Sequence, residues 1–275
     1  MSGRTFNRAL AALVLAIAML AGSRAGAAVE PSPFDEKGAL AYSQAAIGRK
    51  LGNFTFRDRK GNPVDLARYA GKPLIINLIY TSCYNTCPLI VSALYDGVKV
   101  AQGAMGKDAF AVVTVGFDTA NDTPWRMRAF ASTRGVSLPN WSFLSGDEET
   151  VAALTKNLGF IYYSSPKGFD HLAQVTVIDG KGKVYRQIYG DTFAPPAIVE
   201  PLKELVFGGG IARSGLSGLV NRIRLFCTLY DPRSERYYFD YSIFVGLVIG
   251  AGILGTMAVI IGRNVWRLWR QGGVA

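Results

Sequence analysis

The chain has 275 residues, of which 49% are hydrophobic, and it carries a formal net charge of +10. Once the apolar segments at its two ends are set aside, about 210 residues remain, which suits one globular domain with a substantial core. No run of five or more like charges occurs, and several basic residues flank apolar segments instead, so a nucleic-acid partner is not expected.

The first 28 residues predict a secretory signal peptide. Arg4 and Arg8 form its positive region, and the apolar stretch from Ala9 to Gly22 is too short to span a bilayer comfortably. The small residues from Ala25 to Ala27 lie where a signal peptidase cleaves. The alternative is an uncleaved N-terminal anchor, which the short apolar run and the cleavage-like site do not favour.

Residues 29–50 form a polar, alanine-rich lead-in, and the chain from Leu51 to Leu66 predicts a β-hairpin. Pro73 to Tyr80 is a continuous apolar run of strand length, which is typical of a central strand buried on both faces. A short loop then leads to a predicted helix from Pro88 to about Gln102. Proline suits the first helical position because its missing N–H would have no partner there.

Strand and helix patterns continue to alternate after this helix. The predicted elements are a strand from Ala109 to Phe117, a helix opened by Asp122-Thr123-Pro124, a helix capped by Asp147 and closed by Gly159, strands from Leu172 to Ile178 and from Val184 to Tyr189 joined by a turn at Asp179 to Gly182, and a helix from Ala197 to Val206. Because Pro201 lies inside the last helix, we expect that helix to begin a residue or two later.

The C-terminal part of the chain predicts a membrane anchor. In the segment before it, Leu219 to Leu229 either lies along the membrane surface or packs as a loop on the domain. Ser242 to Gly262 has 21 uncharged residues, and at about 1.5 Å per residue such a helix reaches roughly 30 Å, the thickness of a hydrocarbon core. Arginines and tryptophans follow directly: Arg263, Trp266, Arg267, Trp269 and Arg270. The positive-inside rule therefore puts the C-terminal tail in the cytoplasm and the domain on the periplasmic, extracytoplasmic side, in agreement with the signal peptide.

These elements predict an α/β fold, in which a mixed sheet is covered by helices on both faces and its last two strands form a hairpin. A C-terminal transmembrane helix holds this domain at the cytoplasmic membrane. The predicted segments are the signal peptide 1–28, the lead-in 29–50, the domain 51–210, the juxtamembrane segment 211–241, the transmembrane helix 242–262 and the cytoplasmic tail 263–275.

The chain has three cysteines and one histidine, so few residues are available for metal or redox chemistry. Cys83 and Cys87 lie in the predicted loop that leaves the central strand and enters a helix. Functional sites collect at the carboxyl edge of parallel strands, and the positive end of a helix dipole stabilises thiolates. The pair is therefore a candidate nucleophile, a candidate redox disulfide and a candidate pair of metal ligands.

His171 lies at the start of the third predicted strand, directly before Leu172, and Asp118 lies at the end of the second. If the third strand runs antiparallel to the first two, its beginning lies at their carboxyl edge and the imidazole faces the thiols. Two thiolates with one imidazole suit copper, as Cu(I) or Cu(II), whereas hard cations prefer oxygen and a structural zinc usually has four protein ligands.

Each of these residues also has a simpler interpretation. A cysteine pair in an exported protein is more often a disulfide than a metal site, and a lone histidine is more often structural than a ligand. A spacing of three residues differs from the C-x-x-C of typical dithiol oxidoreductases, and it is weak evidence by itself. Cys227 lies near the membrane segment and is interpreted as a free thiol without an assigned role.

Several motifs in order along the chain carry a family resemblance. Residues 80–88, with the pattern T-x-C-x-x-x-C-P, resemble the loop of the SCO/SenC family of cytochrome oxidase assembly proteins. The resemblance extends over about residues 45–262. The further matching motifs are Phe117-Asp118 with Asp122-Thr123-Pro124, Trp141 to Gly146, Asp170-His171, and Cys227 to Pro232.

The resemblance implies a thioredoxin-like fold that binds one copper ion through Cys83, Cys87 and His171, with Asp118 in contact with the ligands. It implies delivery of copper to the copper-centre subunit of a cytochrome oxidase, with other copper chaperones as further partners. A metallochaperone of this kind is not an enzyme in the ordinary sense. The alternative is a thiol–disulfide reductase that acts on cysteines of an oxidase subunit or of another exported protein. Thr119 and Leu172 differ from residues frequent in the family, and neither is a ligand.

Overall fold

The computed structural model divides the chain into two units, residues 1–35 and 36–275. Of the first unit, only Phe34 and Asp35 are described. The predicted signal peptide, Cys227 and most of the juxtamembrane segment lie outside the described residues. The structure describes residues 34–207, 228–231, 236–239 and 241–271.

Seven strands form the central sheet of the second unit. They are β1 (Thr55–Arg57), β2 (Pro63–Asp65), β3 (Leu74–Ile79), β4 (Ala111–Gly116), β5 (Trp141–Ser145), β8 (Gln174–Ile178) and β9 (Val184–Tyr189). Two strands between β5 and β8 in the chain, β6 (Tyr162–Ser165) and β7 (Gly168–His171), form a separate antiparallel hairpin. The order across the central sheet is β2-β1-β5-β4-β3-β8-β9.

Helices cover both faces of this sheet, since every residue of β3, β4 and β8 is buried. On one face of the sheet, the two longest helices of the domain pack closely against each other. A Cβ added at Gly97 of one helix would lie 3.0 Å from the Ile198 side chain of the other. The helices are α1 (Glu36–Gln44), α2 (Thr86–Met105), α3 (Pro124–Thr133), α4 (Glu148–Leu158), α5 (Pro196–Phe207) and α6 (Ser242–Gln271), with a short 3₁₀ helix at Leu66–Tyr69.

The directions of the central strands confirm the predicted mixed sheet. β3, β4 and β5 are parallel, with Leu74 opposite Ala111. β8 runs antiparallel to β3, with Asn77 opposite Val175 and Leu74 opposite Ile178. The start of β8 therefore lies at the carboxyl edge of the parallel strands, as the sequence analysis required for His171.

The predicted helix starts are confirmed at two positions and corrected at two others. Thr123 caps α3, and Asp147 caps α4 by accepting from the Thr150 backbone N–H at 2.8 Å. However, α2 begins at Thr86 rather than at Pro88, because a proline is tolerated anywhere in the first turn. α5 begins at Pro196, so the later start expected from its internal proline is wrong.

Three further elements were not predicted as such. β5 takes a central place in the sheet between β1 and β4, although its sequence was noted only as a motif. The β6–β7 hairpin occupies a stretch for which the sequence pattern predicts no strand. The predicted lead-in joins the domain from residue 36, because the Ser43 hydroxyl donates to Gln174 at 2.8 Å and the Gly48 N–H donates to the Val184 carbonyl at 2.7 Å.

α6 is a candidate membrane anchor. Residues Phe244–Arg267 have a mean hydropathy of 2.5, and among the described residues this is the one helix long and apolar enough to cross a membrane. The helix continues past the predicted end at Gly262 to Gln271, so the C-terminal arginines extend it rather than following it. An antiparallel pair of strands precedes it in the juxtamembrane segment, β10 (Thr228–Asp231) and β11 (Arg236–Phe239).

Candidate dithiol and metal site

The two candidate cysteines lie where β3 leads into α2. A tight turn, in which the Cys83 N–H donates to the Tyr80 carbonyl at 3.1 Å, follows the end of the strand. Cys83 is 7% exposed, and Cys87 is fully buried in the first turn of α2. Both are free thiols in this structure. The sequence placed both sulfurs in a loop, whereas the structure puts the second one inside the helix.

The Cys83 sulfur occupies the position of a helix cap. It accepts a hydrogen bond from the Cys87 backbone N–H at 3.3 Å and a second one from the Asn85 N–H. Asn85 is the N-cap residue by position, but its side chain makes no capping hydrogen bond. Because the first N–H groups of a helix have no partners within the helix, a negative sulfur at this point is stabilised by both hydrogen bonds and the helix dipole.

One shared proton makes the two sulfurs chemically different. The Cys87 thiol donates to the Cys83 sulfur, and this hydrogen bond is the main reason that the pKa of Cys83 falls to about 5 although burial alone would raise it. The backbone N–H groups and the Tyr80 hydroxyl lower the pKa of Cys83 further. The same hydrogen bond, together with burial, raises the pKa of Cys87. At neutral pH the pair is therefore a Cys83 thiolate beside a Cys87 thiol.

His171 lies in a pocket of aromatic rings. Its ring centroid is 5.3 Å from that of Phe160, 5.5 Å from Phe117 and 6.2 Å from Tyr80. Burial lowers the pKa of His171, so the imidazole is neutral near pH 7. Its Nδ1 lies 2.8 Å from the Leu172 carbonyl oxygen, and because a carbonyl only accepts, Nδ1 carries the proton. Nε2 therefore keeps its lone pair, the state in which an imidazole binds a metal.

The element that carries His171 differs from the one predicted. The third strand, β8, begins at Gln174, and His171 instead ends β7 of the separate hairpin. A two-residue link between β7 and β8 keeps the imidazole at the same edge of the sheet as the thiols. Its pKa accordingly includes a Coulombic contribution from Cys83.

The three predicted ligands are neighbours without forming a closed cluster. Among the residues that the structure describes, no group of three or more His, Cys, Asp and Glu side chains is arranged to hold a metal ion. Tyr80 contacts both parts of the site, since its hydroxyl interacts with the Cys83 sulfur and its ring stands edge-on to the His171 ring. The donor atoms themselves fit copper: one thiolate, one thiol that loses its proton on metal binding, and one neutral imidazole nitrogen.

Asp118, predicted as a neighbour of the ligands, lies in the loop after β4. One of its carboxylate oxygens accepts from the Asn121 side-chain amide at 2.8 Å. Its backbone N–H donates to Asp122 at 2.9 Å. The described contacts of the Asp118 carboxylate are therefore within its own loop.

Asp122 is the polar residue that braces the site, a role that the sequence analysis did not assign. The side chain is 2% exposed, and one oxygen accepts from the backbone N–H of Thr81 at 2.8 Å and from its hydroxyl at 2.7 Å. The other oxygen accepts from the Asp118 N–H, so the carboxylate joins the loops after β3 and β4. Gly116 leaves room for it, because a Cβ there would lie 2.4 Å from the Asp122 Cβ.

Because the Cys87 thiol stabilises the Cys83 thiolate by a hydrogen bond and lowers the pKa of Cys83 to about 5, we expect alkylation of Cys83 to follow a titration near pH 5. Above this pH the thiolate is present and reacts, and below it the reaction slows. Mass spectrometry of the iodoacetamide-modified peptides measures the rate for each cysteine separately. Cys87→Ala removes the largest cause of the shift, so it should move the midpoint to higher pH. An unchanged midpoint in Cys87→Ala would contradict the shared proton.

Substitution Asp122→Asn should destabilise the folded chain by about 1–3 kcal/mol, because an amide nitrogen then faces a backbone donor in a buried position. The midpoint of thermal unfolding of the full-length chain in detergent measures the effect. Asp118→Asn is the matched control, since its carboxylate has an exposed amide partner. We expect a change within about 0.5 kcal/mol for the control. Equal destabilisation by the two variants would argue against a stabilising role of the Asp122 carboxylate.

Comparison with known proteins identifies relatives of this fold. The SCO1/SenC family model matches residues 43–206, which are more than half of the chain. The SCO1 protein homolog of Bacillus subtilis (strain 168) is 28% identical over 142 residues, which cover 50% of this chain and 72% of the relative. Residues 43–206, which the family model matches, include both candidate cysteines and His171.

Solved structures agree with this result. A structure from Aquifex aeolicus VF5 has a TM-score of 0.53 at 28% identity and covers 60% of this chain and 96% of its own. Arabidopsis thaliana ScoI, solved with copper bound, has a TM-score of 0.50 at 18% identity and covers 57% of this chain and 97% of its own. The fold is the thioredoxin-like one that the resemblance implied. The chain belongs to the SCO1/SenC family.

Proposed function

We propose that the chain is a membrane-anchored copper chaperone that binds one copper ion through Cys83, Cys87 and His171. The observation that carries this proposal is the pair of unlike sulfurs at the start of α2, beside an imidazole whose Nε2 keeps its lone pair. Soft thiolates and imidazole are the donors that copper prefers over hard cations.

Membership of the SCO1/SenC family supports the same function, because the resemblance in the motifs implies copper binding and oxidase assembly. A protein of the same fold, Arabidopsis ScoI, holds copper in its solved structure. The copper is cargo: it is delivered to the copper-centre subunit of a cytochrome oxidase, and other copper chaperones supply it.

The site favours transfer of the metal by ligand exchange. It lies at the carboxyl edge of the parallel strands. In the loop between the two cysteines, Tyr84 is 95% exposed to solvent. A partner's cysteine and histidine approach over this loop, and each bond to a protein sulfur is replaced by one to the partner. Asp118, in the loop beside this one, assists contact with the partner.

The anchor fixes where the transfer takes place. α6 crosses the cytoplasmic membrane, and Arg263, Arg267 and Arg270 lie at its C-terminal end. This orientation leaves the domain on the periplasmic, extracytoplasmic side, where the predicted signal peptide directs it. The two thiols then face the compartment in which the copper centre of an oxidase subunit is assembled.

Copper titration of the reduced full-length chain in detergent should give about one tightly bound ion. Cys83→Ser and Cys87→Ser each remove a ligand, so each should weaken binding by more than about 100-fold, beyond the usual loss for residues that only orient ligands. Cys227→Ser is the control, because that thiol has no predicted role, and it should bind like the unaltered chain. If His171→Ala kept both the Cu(II) spectrum and the affinity, the three-ligand site would be wrong.

A second candidate function is thiol–disulfide reduction, and the lowered pKa of Cys83 favours it. The Cys83 thiolate attacks one sulfur of a partner's disulfide, which forms a mixed disulfide and releases the other sulfur as a thiolate. Cys87 then loses its proton and attacks the Cys83 sulfur, which releases the partner's second thiolate. The chain is oxidised to a Cys83–Cys87 disulfide, and another thiol donor must reduce it again.

The reductase function predicts turnover without copper. With a chelator present, reduction of a small aromatic disulfide should be abolished by Cys83→Ala. In Cys87→Ala, the reaction should stop at the mixed disulfide between Cys83 and the substrate. In His171→Ala, the rate of disulfide reduction should stay within about twofold of the unaltered chain, because the imidazole takes no part in the exchange. Mass spectrometry identifies the mixed disulfide. Full activity in Cys83→Ala would exclude this mechanism.

A further inference from the structure

The hydroxyl of Tyr80 lies where the β6–β7 hairpin meets the thiol loop. A Cβ added at Gly168 would lie 2.8 Å from the Tyr80 Oη, so this oxygen abuts the first residue of β7. Burial raises the pKa of Tyr80; the Cys83 sulfur raises this pKa further and the backbone N–H of Phe169 lowers it, so both groups lie beside this oxygen. One oxygen atom therefore links the hairpin to the sulfur.

The ring of Tyr80 faces the same strand. Its centroid is 5.1 Å from that of Phe169 and 6.2 Å from that of His171, and both contacts are edge-on. These two residues are alternate positions of β7, and alternate residues of a strand point to one face. The face of the hairpin that carries the imidazole is thus packed on Tyr80.

The position of the hairpin depends on such contacts because its strands pair with each other and are not part of the seven-stranded sheet. Gly168 has a φ of +116°, which disfavours other residues, and any side chain there would meet the Tyr80 hydroxyl. The backbone of the hairpin is therefore shaped to approach this one oxygen closely.

We propose that Tyr80 is a positioning residue for copper binding: its hydroxyl ties the hairpin that carries His171 to the Cys83 loop and so sets how readily the imidazole joins the two thiols. The inference rests on the proposed copper function. Tyr80 does not bind the metal, because the sulfur and the imidazole nitrogen supply the donors. Its effect on copper acts through His171.

A double-mutant cycle tests this role. Copper affinity is measured for the full-length reduced chain in detergent, with Tyr80→Phe made in the unaltered chain and in His171→Ala. The phenylalanine keeps the ring contacts and removes only the hydroxyl. Tyr162→Phe is the matched control, since that ring also packs in the cluster, 4.7 Å from Phe117 and 5.7 Å from Phe169, and sulfur is not among the groups that shift its pKa.

If Tyr80 acts through His171, the hydroxyl is worth about tenfold more copper affinity when the imidazole is present than when it is absent, the usual size of an orienting contact. The nitrogen signal of His171 in the Cu(II) spectrum should weaken in Tyr80→Phe. Equal changes in the two backgrounds mean that the hydroxyl acts only on the sulfur, and this result overturns the proposal. An equal loss of copper affinity in Tyr162→Phe would also overturn the proposal.

Amide hydrogen exchange tests the contact between the Tyr80 hydroxyl and the hairpin without copper. The positioning role of Tyr80 and the proposed copper function can therefore fail independently. In the metal-free chain, Tyr80→Phe should speed exchange at the Phe169 amide by about tenfold, because its acceptor is gone. Tyr162→Phe should leave it unchanged. If the unaltered chain binds no copper, the proposed copper function is wrong. The exchange rate of the Phe169 amide then still tests the contact between the Tyr80 hydroxyl and the hairpin. Unchanged exchange in Tyr80→Phe would refute the tie.

Discussion

The site depends on the packing of aromatic rings around Phe117. This side chain is 1% exposed and follows the end of β4, and five aromatic residues lie with ring centroids 4.7–5.5 Å from its own: Tyr80, Phe160, Tyr162, Phe169 and His171. Four of these five lie in or next to the β6–β7 hairpin. Because that hairpin is not a strand pair of the central sheet, ring packing on Phe117 acts together with the two-residue link to β8 to hold the only histidine of the chain near the thiols.

The second half of the site is built differently, from hydrogen bonds at a helix start. The sulfur of Cys83 replaces the missing cap of α2, and Asp122 holds the preceding Thr81 through its N–H and its hydroxyl. These contacts fix a thiolate beside a thiol, which is useful both for holding a soft metal and for attacking a disulfide. The imidazole is held by the packing of aromatic rings and the two sulfurs by hydrogen bonds. Tyr80 contacts both the imidazole and the Cys83 sulfur.

Much of the fold followed from local patterns. The apolar runs that became β3 and β4, the capping by Asp147 and the turn before β9 could all be predicted, because each depends on residues close together in the chain. β5 was missed because it has only five residues and two of them are serines, so its apolar run is interrupted. The hairpin of His171 was missed because Tyr162 to Ser165 is polar and half-exposed, so no burial pattern marks it as a strand.

The sequence by itself determined the chemistry available to this protein: two cysteines separated by three residues before a helix, one histidine, and a long apolar segment followed by arginines. Only the tertiary structure decided how these groups act on one another. The pKa values of the two thiols differ chiefly because the Cys87 thiol donates to the Cys83 sulfur, and also because backbone N–H groups at the helix start stabilise the Cys83 thiolate. The roles of Tyr80 and Asp122 arise from contacts between residues far apart in sequence, which no local pattern encodes.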